Sequence, residues 1–253
     1  MRNKFCVTSN VARFLDAVEA AERRGAPEAS WVCVVGDPGH GKTRAALRWS
    51  DEHDAIHLRL KPEVTATWLL RDVARELGLS DAEIDRAQGR EKIFHKCFER
   101  LAERPRPIVI DEAEHAVSGG AHALESVRAL SDLTEILVVL VGRAEVPKRL
   151  QRHPQLWSRV AAVAKFEPLP LPDVTLLRSL RCEVEVDPAV DEILLTQSGG
   201  LARQVMNGIA NIERLGLTLE RRVDAADLAG ITIVRDLGTV ADAAAELQRG
   251  KRR

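Results

Sequence analysis

The sequence has few of the residues that mark several classes of protein. Tyrosine is absent and aromatic residues make up 4% of the 253 residues, so a surface that stacks nucleic-acid bases on aromatic rings is not expected. No apolar run is long enough to span a bilayer. The cysteines form no C-x-x-C pair and suggest neither a zinc site nor a disulfide framework; they are Cys6, Cys33, Cys97 and Cys182.

The charges are nearly balanced, with 37 Lys and Arg against 38 Asp and Glu and a formal net charge of −1. The composition therefore does not require a nucleic-acid partner, although it leaves room for a local basic patch. Residues 1–6 lack the apolar core of a signal peptide. With cysteines that suggest no disulfide frame, this pattern predicts a cytoplasmic protein.

The most informative segment is residues 36–43, GDPGHGKT, which has the form G-x-x-x-x-G-K-[ST] of a phosphate-binding P-loop. The apolar run Trp31–Val35 precedes it and predicts a buried strand. The residues from Thr43 to Trp49 follow it and include good helix formers. Strand, glycine loop and helix are the context that the motif requires, so a chance match by a glycine turn is disfavoured.

The residue types in this segment suit a nucleotide triphosphate. Glycines allow the backbone to wrap a phosphate closely, and the following helix directs its positive end at the same place. Lys42 is expected to reach the β- and γ-phosphates, and the Thr43 hydroxyl to bind Mg²⁺. The candidate nucleotide-binding residues are Gly36, Asp37, Pro38, Gly39, His40, Gly41, Lys42, Thr43 and Arg44.

Apolar runs alternate with helical patterns over the first two thirds of the chain, which predicts an α/β core with a parallel sheet. Strands are predicted at 31–35, 55–60, 107–112, 136–141 and 162–166, with 136–141 central and 162–166 last in the sheet. Helices are predicted at 8–24, 43–49, 64–79, 89–103 and 119–130. Val11, Phe14, Leu15 and Val18 fall on one face of the first helix, and the third shows helical spacing with Trp68, Leu69, Val73 and Leu77 apolar.

Prolines at positions 168, 170 and 172 indicate a semi-rigid joint, beyond which only helical patterns follow. We expect those helices at 173–181, 188–197, 201–215 and 224–228. The sequence thus predicts a P-loop core with its N-terminal helix at residues 1–168 and a small helical lid at 169–236. Residues 237–253, which end in RGKRR, are expected to form a flexible basic tail.

Asp111 and Glu112 follow an apolar, β-branched run and would lie at the carboxyl edge of the sheet, where ligands bind. In a Walker B motif, Asp111 would hold Mg²⁺ directly or through water, and Glu112 would orient the attacking water. The alternative is an acidic loop after a strand. The P-loop upstream favours the Walker B interpretation.

This order of motifs resembles the AAA+ ATPases. Within that class, the sequence resembles the target-selection ATPases of transposition, the group of MuB, TniB and TnsC. The matching stretches are residues 8–10 (TSN), 36–43, 110–115 (IDEAEH), 140–142 (LVG), 155–160 (QLWSRV) and 200–203 (GLAR).

The resemblance implies roles for three arginines. Arg159 matches the arginine finger that reaches the γ-phosphate of a neighbouring subunit, with Arg152 as the alternative, and Arg203 matches the lid arginine called sensor 2. From spacing alone, Arg159 could equally be a surface arginine and Arg203 a solvated charge. Arg143 lies near the sensor 1 position, where a small polar residue is usual, and its role stays open.

The resemblance also implies ATP and Mg²⁺ as cofactors, a DNA-stimulated ATPase, and an ATP-dependent homo-oligomer, ring or helical filament, on double-stranded DNA. The Mu-phage member carries an extra N-terminal DNA-binding domain, for which no room is expected before this P-loop. The DNA-contact candidates are Arg86, Arg90, Lys92 and Lys96, in pairs spaced four apart, each of which could instead be a solvated helix surface.

The predicted function is delivery of target DNA to a transposase, without base-sequence preference. One alternative is another DNA-handling AAA+ protein, such as a helicase loader or initiator-like ATPase. A second is a nucleotide-gated signalling switch that does not bind DNA. No membrane partner is expected.

Overall fold

The computed structural model describes residues 1–26, 28–87, 89–118 and 121–234. It divides into two compact units. The sheet unit comprises Arg13–Pro38 and Lys42–Phe166, and the helical unit comprises Met1–Ala12, Gly39–Gly41 and the described residues from Glu167 onwards. The predicted tail at 237–253 lies outside the described residues, and the domain boundary at residue 168 stays a prediction.

The strands of the sheet unit are β1 (Trp31–Val35), β2 (Ile56–Arg59), β3 (Ile108–Asp111), β4 (Val138–Gly142) and β5 (Val160–Lys165). They form one parallel sheet in the order β2-β3-β4-β1-β5. Every residue of β1, β3 and β4 is buried, as expected for strands that carry continuous apolar runs and are covered on both faces. The predicted parallel sheet, with 136–141 at its centre and 162–166 at an edge, is confirmed.

Helices flank the strands of this unit: α1 (Ser9–Glu22, which begins in the helical unit), α2 (Lys42–Glu52), α3 (Ala66–Glu76), α4 (Asp81–Arg86), α5 (Arg90–Glu103), α6 (Glu114–Ser118), α7 (His122–Thr134), α8 (Val146–Leu150) and α9 (Pro154–Trp157). The sequence did not predict α4 and α6, which are short. The box Ser80-x-x-Glu83 at the start of α4 was a usable signal, because each side chain bonds to the other residue's backbone N–H. Gly119 and Gly120, predicted to open α7, lie outside the described residues.

The core of the sheet unit lies where α3, α5 and α7 pack on the strands. Trp31 is fully buried on β1, and its indole Nε1 donates to the Ser131 hydroxyl of α7 at 3.0 Å, so its one polar atom is satisfied. Burying each such large side chain contributes about 1.5–3 kcal/mol. Leu15 is 39% exposed and Trp68 is 56% exposed, so the apolar positions predicted in α1 and α3 are not all buried.

The helical unit contains α10 (Leu171–Arg181), α11 (Val190–Ser198), α12 (Ala202–Leu219) and a 3₁₀ helix (Ala225–Leu228). Pro172 lies in the first turn of α10, where proline is tolerated, so the helix begins before the predicted position 173. A single parallel bridge, Val186 to Val223, also departs from the all-helical prediction. Among the described residues, no helix is long and apolar enough to cross a membrane.

Side chains at the start of α1 bind the N-terminal segment to the rest of the helical unit. Asn10, which is buried, donates its amide to the Glu167 carbonyl at 2.7 Å and accepts the Glu167 N–H at 2.9 Å. The Asp173 carboxylate accepts from the Ser9 N–H at 3.0 Å and from the Ser9 hydroxyl at 2.6 Å. These contacts give residues Ser9 and Asn10 of the TSN stretch a structural role.

Asn10→Ala should destabilise the helical unit, because both backbone groups of Glu167 lose a buried partner. At about 1 kcal/mol for each hydrogen bond, we expect the free energy of unfolding to fall by about 2 kcal/mol. Urea unfolding followed by circular dichroism measures this. The exposed Asn3, changed to Ala, is the matched control, and equal unfolding midpoints for the two variants would contradict the prediction.

Candidate functional site: a phosphate loop and an acidic strand end

The carboxyl ends of three adjacent strands bring the phosphate loop, Glu112 and Arg143 to one edge of the sheet. In the register of the central strands, Val35 lies opposite Gly142, and Asp111 lies opposite Val141. The residues that follow these positions are the phosphate loop, Glu112 and Arg143. Because the strands are parallel, all three segments leave the sheet at the same edge, where ligands of such sheets bind.

The first glycine of the loop is required by its surroundings. Gly36 has φ +155°, and a Cβ on it would lie 2.5 Å from the Phe166 carbonyl oxygen. Its own carbonyl accepts a hydrogen bond from Lys42 Nζ at 2.6 Å, and the Asp37 carbonyl accepts one at 2.9 Å. The lysine therefore braces the loop from inside, at the amino-terminal end of α2.

Lys42 lies in a field of acidic residues. Burial lowers the pKa of its ammonium group, and the nearby carboxylates oppose that shift, Glu114 most strongly, followed by Asp111, Asp37 and Glu112. Phosphates entering this place would meet a cation already surrounded by negative charge. A divalent cation bound there would offset that charge.

Asp111 has the property expected of a metal ligand. It is the last residue of β3 and is 3% exposed. One carboxylate oxygen accepts the Glu112 N–H at 2.9 Å, whereas the buried Oδ2 has no hydrogen-bond partner among the residues that the structure describes. A buried oxygen without a partner is costly, and a cation or its water would satisfy it. Thr43, which is exposed at the start of α2, carries the hydroxyl that the sequence predicts as the second Mg²⁺ ligand.

No three His, Cys, Asp or Glu side chains in the described part of the chain form a metal-binding group. Mg²⁺ is commonly bound by one or two protein oxygens together with substrate phosphates and water. Thr43 and Asp111 fit that mode.

Glu112 is held by an arginine that the sequence did not single out. Its backbone lies in the left-handed region, with φ +57°, an uncommon conformation for a residue with a Cβ. Its Oε1 accepts from Arg59 Nη2 at 3.0 Å. Arg59 ends β2 and lies opposite Asp111 in the sheet. A charged residue at the end of a predicted strand was the available signal.

A second pair, Glu114 and Arg143, lies beside the first. Glu114 begins α6 and is 8% exposed; its Oε1 forms an ion pair with Arg143 Nε at 3.0 Å, and its Oε2 accepts the Arg143 backbone N–H at 3.3 Å. Gly142 leaves room for it, because a Cβ there would lie 2.8 Å from Glu114 Oε2. Arg143, whose role the sequence left open, thus has an acidic partner.

Within the helical unit, the start of α12 packs on the tip of the phosphate loop. The Arg203 N–H donates to the Gly39 carbonyl at 3.0 Å, and Ala202 Cβ lies 3.7 Å from where a Cβ of Gly41 would be. His40 is buried, and the Arg203 side chain is exposed. The segment around the predicted sensor 2 arginine therefore contacts the loop through its backbone.

Arg159, the predicted finger, is bound to its own chain. Its Nε and Nη2 donate to the two carboxylate oxygens of Asp132 on α7, each at 2.9 Å, and its Nη1 donates to the Ser158 hydroxyl at 2.8 Å. The hydrogen bonds to Asp132 raise the pKa of Arg159 above its ordinary value. Arg152, the alternative, is exposed.

The four DNA-contact candidates do not share one helix face. Arg86 ends α4 and donates through Nε to the Ala82 carbonyl at 2.9 Å, whereas Arg90 begins α5, so this pair does not share a helix face, as its spacing of four had suggested. Lys92 and Lys96 do share a face of α5, roughly 200° around the helix from Arg90. The contribution of these four residues to DNA binding stays a prediction.

Comparison with known proteins agrees with the fold. Residues 27–150, just under half of the chain, match the family model described as "AAA domain". The parallel sheet of this chain, with its flanking helices, is a P-loop AAA+ fold. The predicted fold class is confirmed. No curated protein matches the sequence.

Solved structures give the same answer. Cdc6p from Pyrobaculum aerophilum matches at TM-score 0.59 and 15% identity over 83% of this chain and 62% of its own. The ORC1 protein of Aeropyrum pernix in complex with DNA matches at TM-score 0.55 and 19% identity, over 96% of this chain and 65% of its own. A RuvB variant from Thermotoga maritima matches at TM-score 0.54 and 19% identity, over 94% of this chain and 69% of its own. The chain spans less than two thirds of the first two proteins, and likeness at these identities establishes the fold alone.

Arg59→Ala should raise ATP turnover by about two- to fivefold, because it frees the Glu112 oxygen that the sequence predicts to orient the attacking water. The effect is modest since the Arg59 side chain is 69% exposed, and an exposed ion pair contributes about 0.5–1 kcal/mol. Steady-state phosphate release measures it. Arg48→Ala, an exposed arginine paired with Glu52 on α2, is the control. Unchanged turnover in Arg59→Ala would show that the pair does not restrain Glu112.

Proposed function

We propose that this protein is an ATPase that binds double-stranded DNA as an ATP-dependent homo-oligomer and delivers target DNA to a transposase. The observation that carries the ATPase proposal is the buried, unpartnered Oδ2 of Asp111 at the same sheet edge as the phosphate loop. Glu112, the residue predicted to orient the attacking water, directly follows Asp111 in the chain. The arrangement suits a nucleotide triphosphate bound with a divalent cation.

Each residue has a distinct task in this proposal. The loop N–H groups and the positive end of α2 bind the phosphates, and Lys42 exchanges its carbonyl partners for phosphate oxygens. Thr43 and Asp111 would hold Mg²⁺, which when bound neutralises charge developing on the β- and γ-phosphate oxygens. Glu112 orients the attacking water, and release from Arg59 makes its carboxylate available.

A neighbouring subunit would complete the site through an arginine. Arg159 is the candidate from the sequence resemblance, and its bidentate pair with Asp132 means that it must leave that carboxylate to act on another subunit. Arg152, the alternative candidate, is exposed. A finger of this kind can raise the rate by about 10³–10⁵.

Duplex DNA is the proposed partner of the oligomer. The fold likeness to an ORC1 protein whose structure contains DNA supports DNA handling in general. Lys92 and Lys96 offer one basic face on α5, although Lys96 also lies close enough to Glu83 to help lower the pKa of that carboxyl, after its hydrogen bonds to Ser80. One or two phosphate contacts per subunit would suffice, because contacts add along a duplex.

The transposition task rests on the sequence resemblance. The same DNA-bound relative equally favours the second candidate, a loader or initiator-like ATPase. A signalling switch without DNA is the remaining alternative. Salt-dependent, ATP-dependent DNA binding separates the first two from the third, and stimulation of a cognate transposase separates the first from the second.

Electron micrographs of the protein with duplex DNA, with and without a slowly hydrolysed ATP analogue, test the proposal directly. Nucleotide should produce rings or filaments on DNA. Lys42→Ala should bind nucleotide weakly and stay dispersed. Wild-type protein that binds the analogue tightly yet ignores DNA at low salt would overturn the DNA proposal and support the signalling switch.

Glu112→Gln should separate binding from hydrolysis. The amide keeps the shape of the side chain but orients water poorly, so nucleotide affinity should stay within about twofold while turnover falls by a factor on the order of 10² or more. Equilibrium binding and phosphate release measure the two quantities. The assembled oligomer should persist longer on DNA. Normal turnover in this variant would exclude Glu112 as the residue that orients the attacking water.

Mixed oligomers distinguish the two finger candidates. The variant that removes the true finger, Arg159→Ala or Arg152→Ala, should lose turnover alone. It should recover part of that turnover when mixed with Lys42→Ala subunits, because the Lys42 variant supplies the arginine and the finger variant supplies the nucleotide site. Phosphate release against mixing ratio measures this complementation. If neither variant loses turnover, the site is not completed in trans by these residues.

A further inference from the structure

The ion pair of Glu114 and Arg143 lies at the sheet edge that carries the phosphate loop. Arg143 follows the last residue of β4, which is opposite Val35, the residue before the phosphate loop. Glu114 is two residues beyond Glu112. The pair is therefore part of the edge formed by β1, β3 and β4, and no step of the ATPase proposal uses it.

The two members of the pair differ in their access to water. The Glu114 side chain is 10% exposed, whereas the Arg143 side chain is 60% exposed. The carboxylate is fixed by the backbone N–H of Arg143 and by the space that Gly142 leaves. The guanidinium, in contrast, can turn towards an incoming anion while the carboxylate stays in place.

Turning away has a cost, because a buried carboxylate would lose its side-chain partner. Glu114 is also the acid that most strongly counters the burial effect on the pKa of Lys42, so it lies close to the predicted phosphate position. A third phosphate would compete with Glu114 for the guanidinium, since arginine binds carboxylate and phosphate by the same fork. A diphosphate lacks that third group and would leave the pair intact.

We propose that Glu114 is a positioning residue that sets the preference between nucleoside triphosphate and diphosphate, by competing with the terminal phosphate for the guanidinium of Arg143. The proposal rests on ATP binding at the proposed site. In this proposal, the ion pair opposes triphosphate binding, because the terminal phosphate has to displace the Glu114 carboxylate from Arg143.

Equilibrium binding of ADP and of a slowly hydrolysed ATP analogue to the full chain tests this without measuring turnover. Glu114→Gln keeps the shape of the side chain and should raise the triphosphate-to-diphosphate affinity ratio by about three- to tenfold, the range expected for a partly exposed charge pair. Arg143→Met should lower the same ratio. Glu145→Gln removes an equal charge nearby from an exposed pair with Arg149 and should leave the ratio unchanged.

The double variant makes the test specific to the pair. In the Arg143→Met background, Glu114→Gln should no longer change the ratio, because the competition has been removed. An equal improvement for both nucleotides, or a ratio shift that persists without Arg143, would overturn the proposal and leave Glu114 acting only through general charge.

Three further outcomes have a defined meaning. If Glu114→Gln does not fold, Arg143→Met alone tests the proposal. An unchanged triphosphate-to-diphosphate affinity ratio in that variant overturns it. If wild-type protein binds neither nucleotide, the proposed ATPase function fails and this inference fails with it. Tight wild-type binding with unchanged ratios in all variants refutes the inference alone.

Discussion

The parallel register of β1, β3 and β4 is the constraint on which the rest of this site depends. Parallel pairing aligns the carboxyl ends of these strands, so that the loop after Val35, the acid at Asp111 and the arginine after Gly142 leave the sheet together. The strands are fully buried, which fixes that register through packing. The fixed register therefore holds the charged residues that follow these strands close together at one edge of the sheet.

The same edge concentrates acidic charge that has to be balanced. Among the described residues, one buried oxygen of Asp111 has no partner, and Glu112 and Glu114 are each paired with an arginine from a neighbouring strand end. Lys42 donates to two carbonyls of its own loop. In the proposed mechanism, nucleotide binding replaces the carbonyl contacts of Lys42, and activation of Glu112 requires its release from Arg59.

Long-range ion pairs explain where the sequence-based prediction fell short. Arg159 matched a known motif, yet its fork is taken by Asp132, 27 residues earlier, and this pair followed from the packing of α7 against the segment after α9. Leu15 and Trp68 stand at apolar positions of their predicted helices, yet both are exposed in the structure. Periodicity identifies a helix face without stating what packs on it.

The sequence by itself determined the phosphate loop, the acidic strand end and the alternation of strands and helices, because these features depend on neighbouring residues and on local backbone preferences. Only the tertiary structure decided which charges meet. The pairs of Arg59 with Glu112 and of Glu114 with Arg143 join residues 53 and 29 positions apart. Their partners are set by the strand order, and spacing along the chain carries no record of that order.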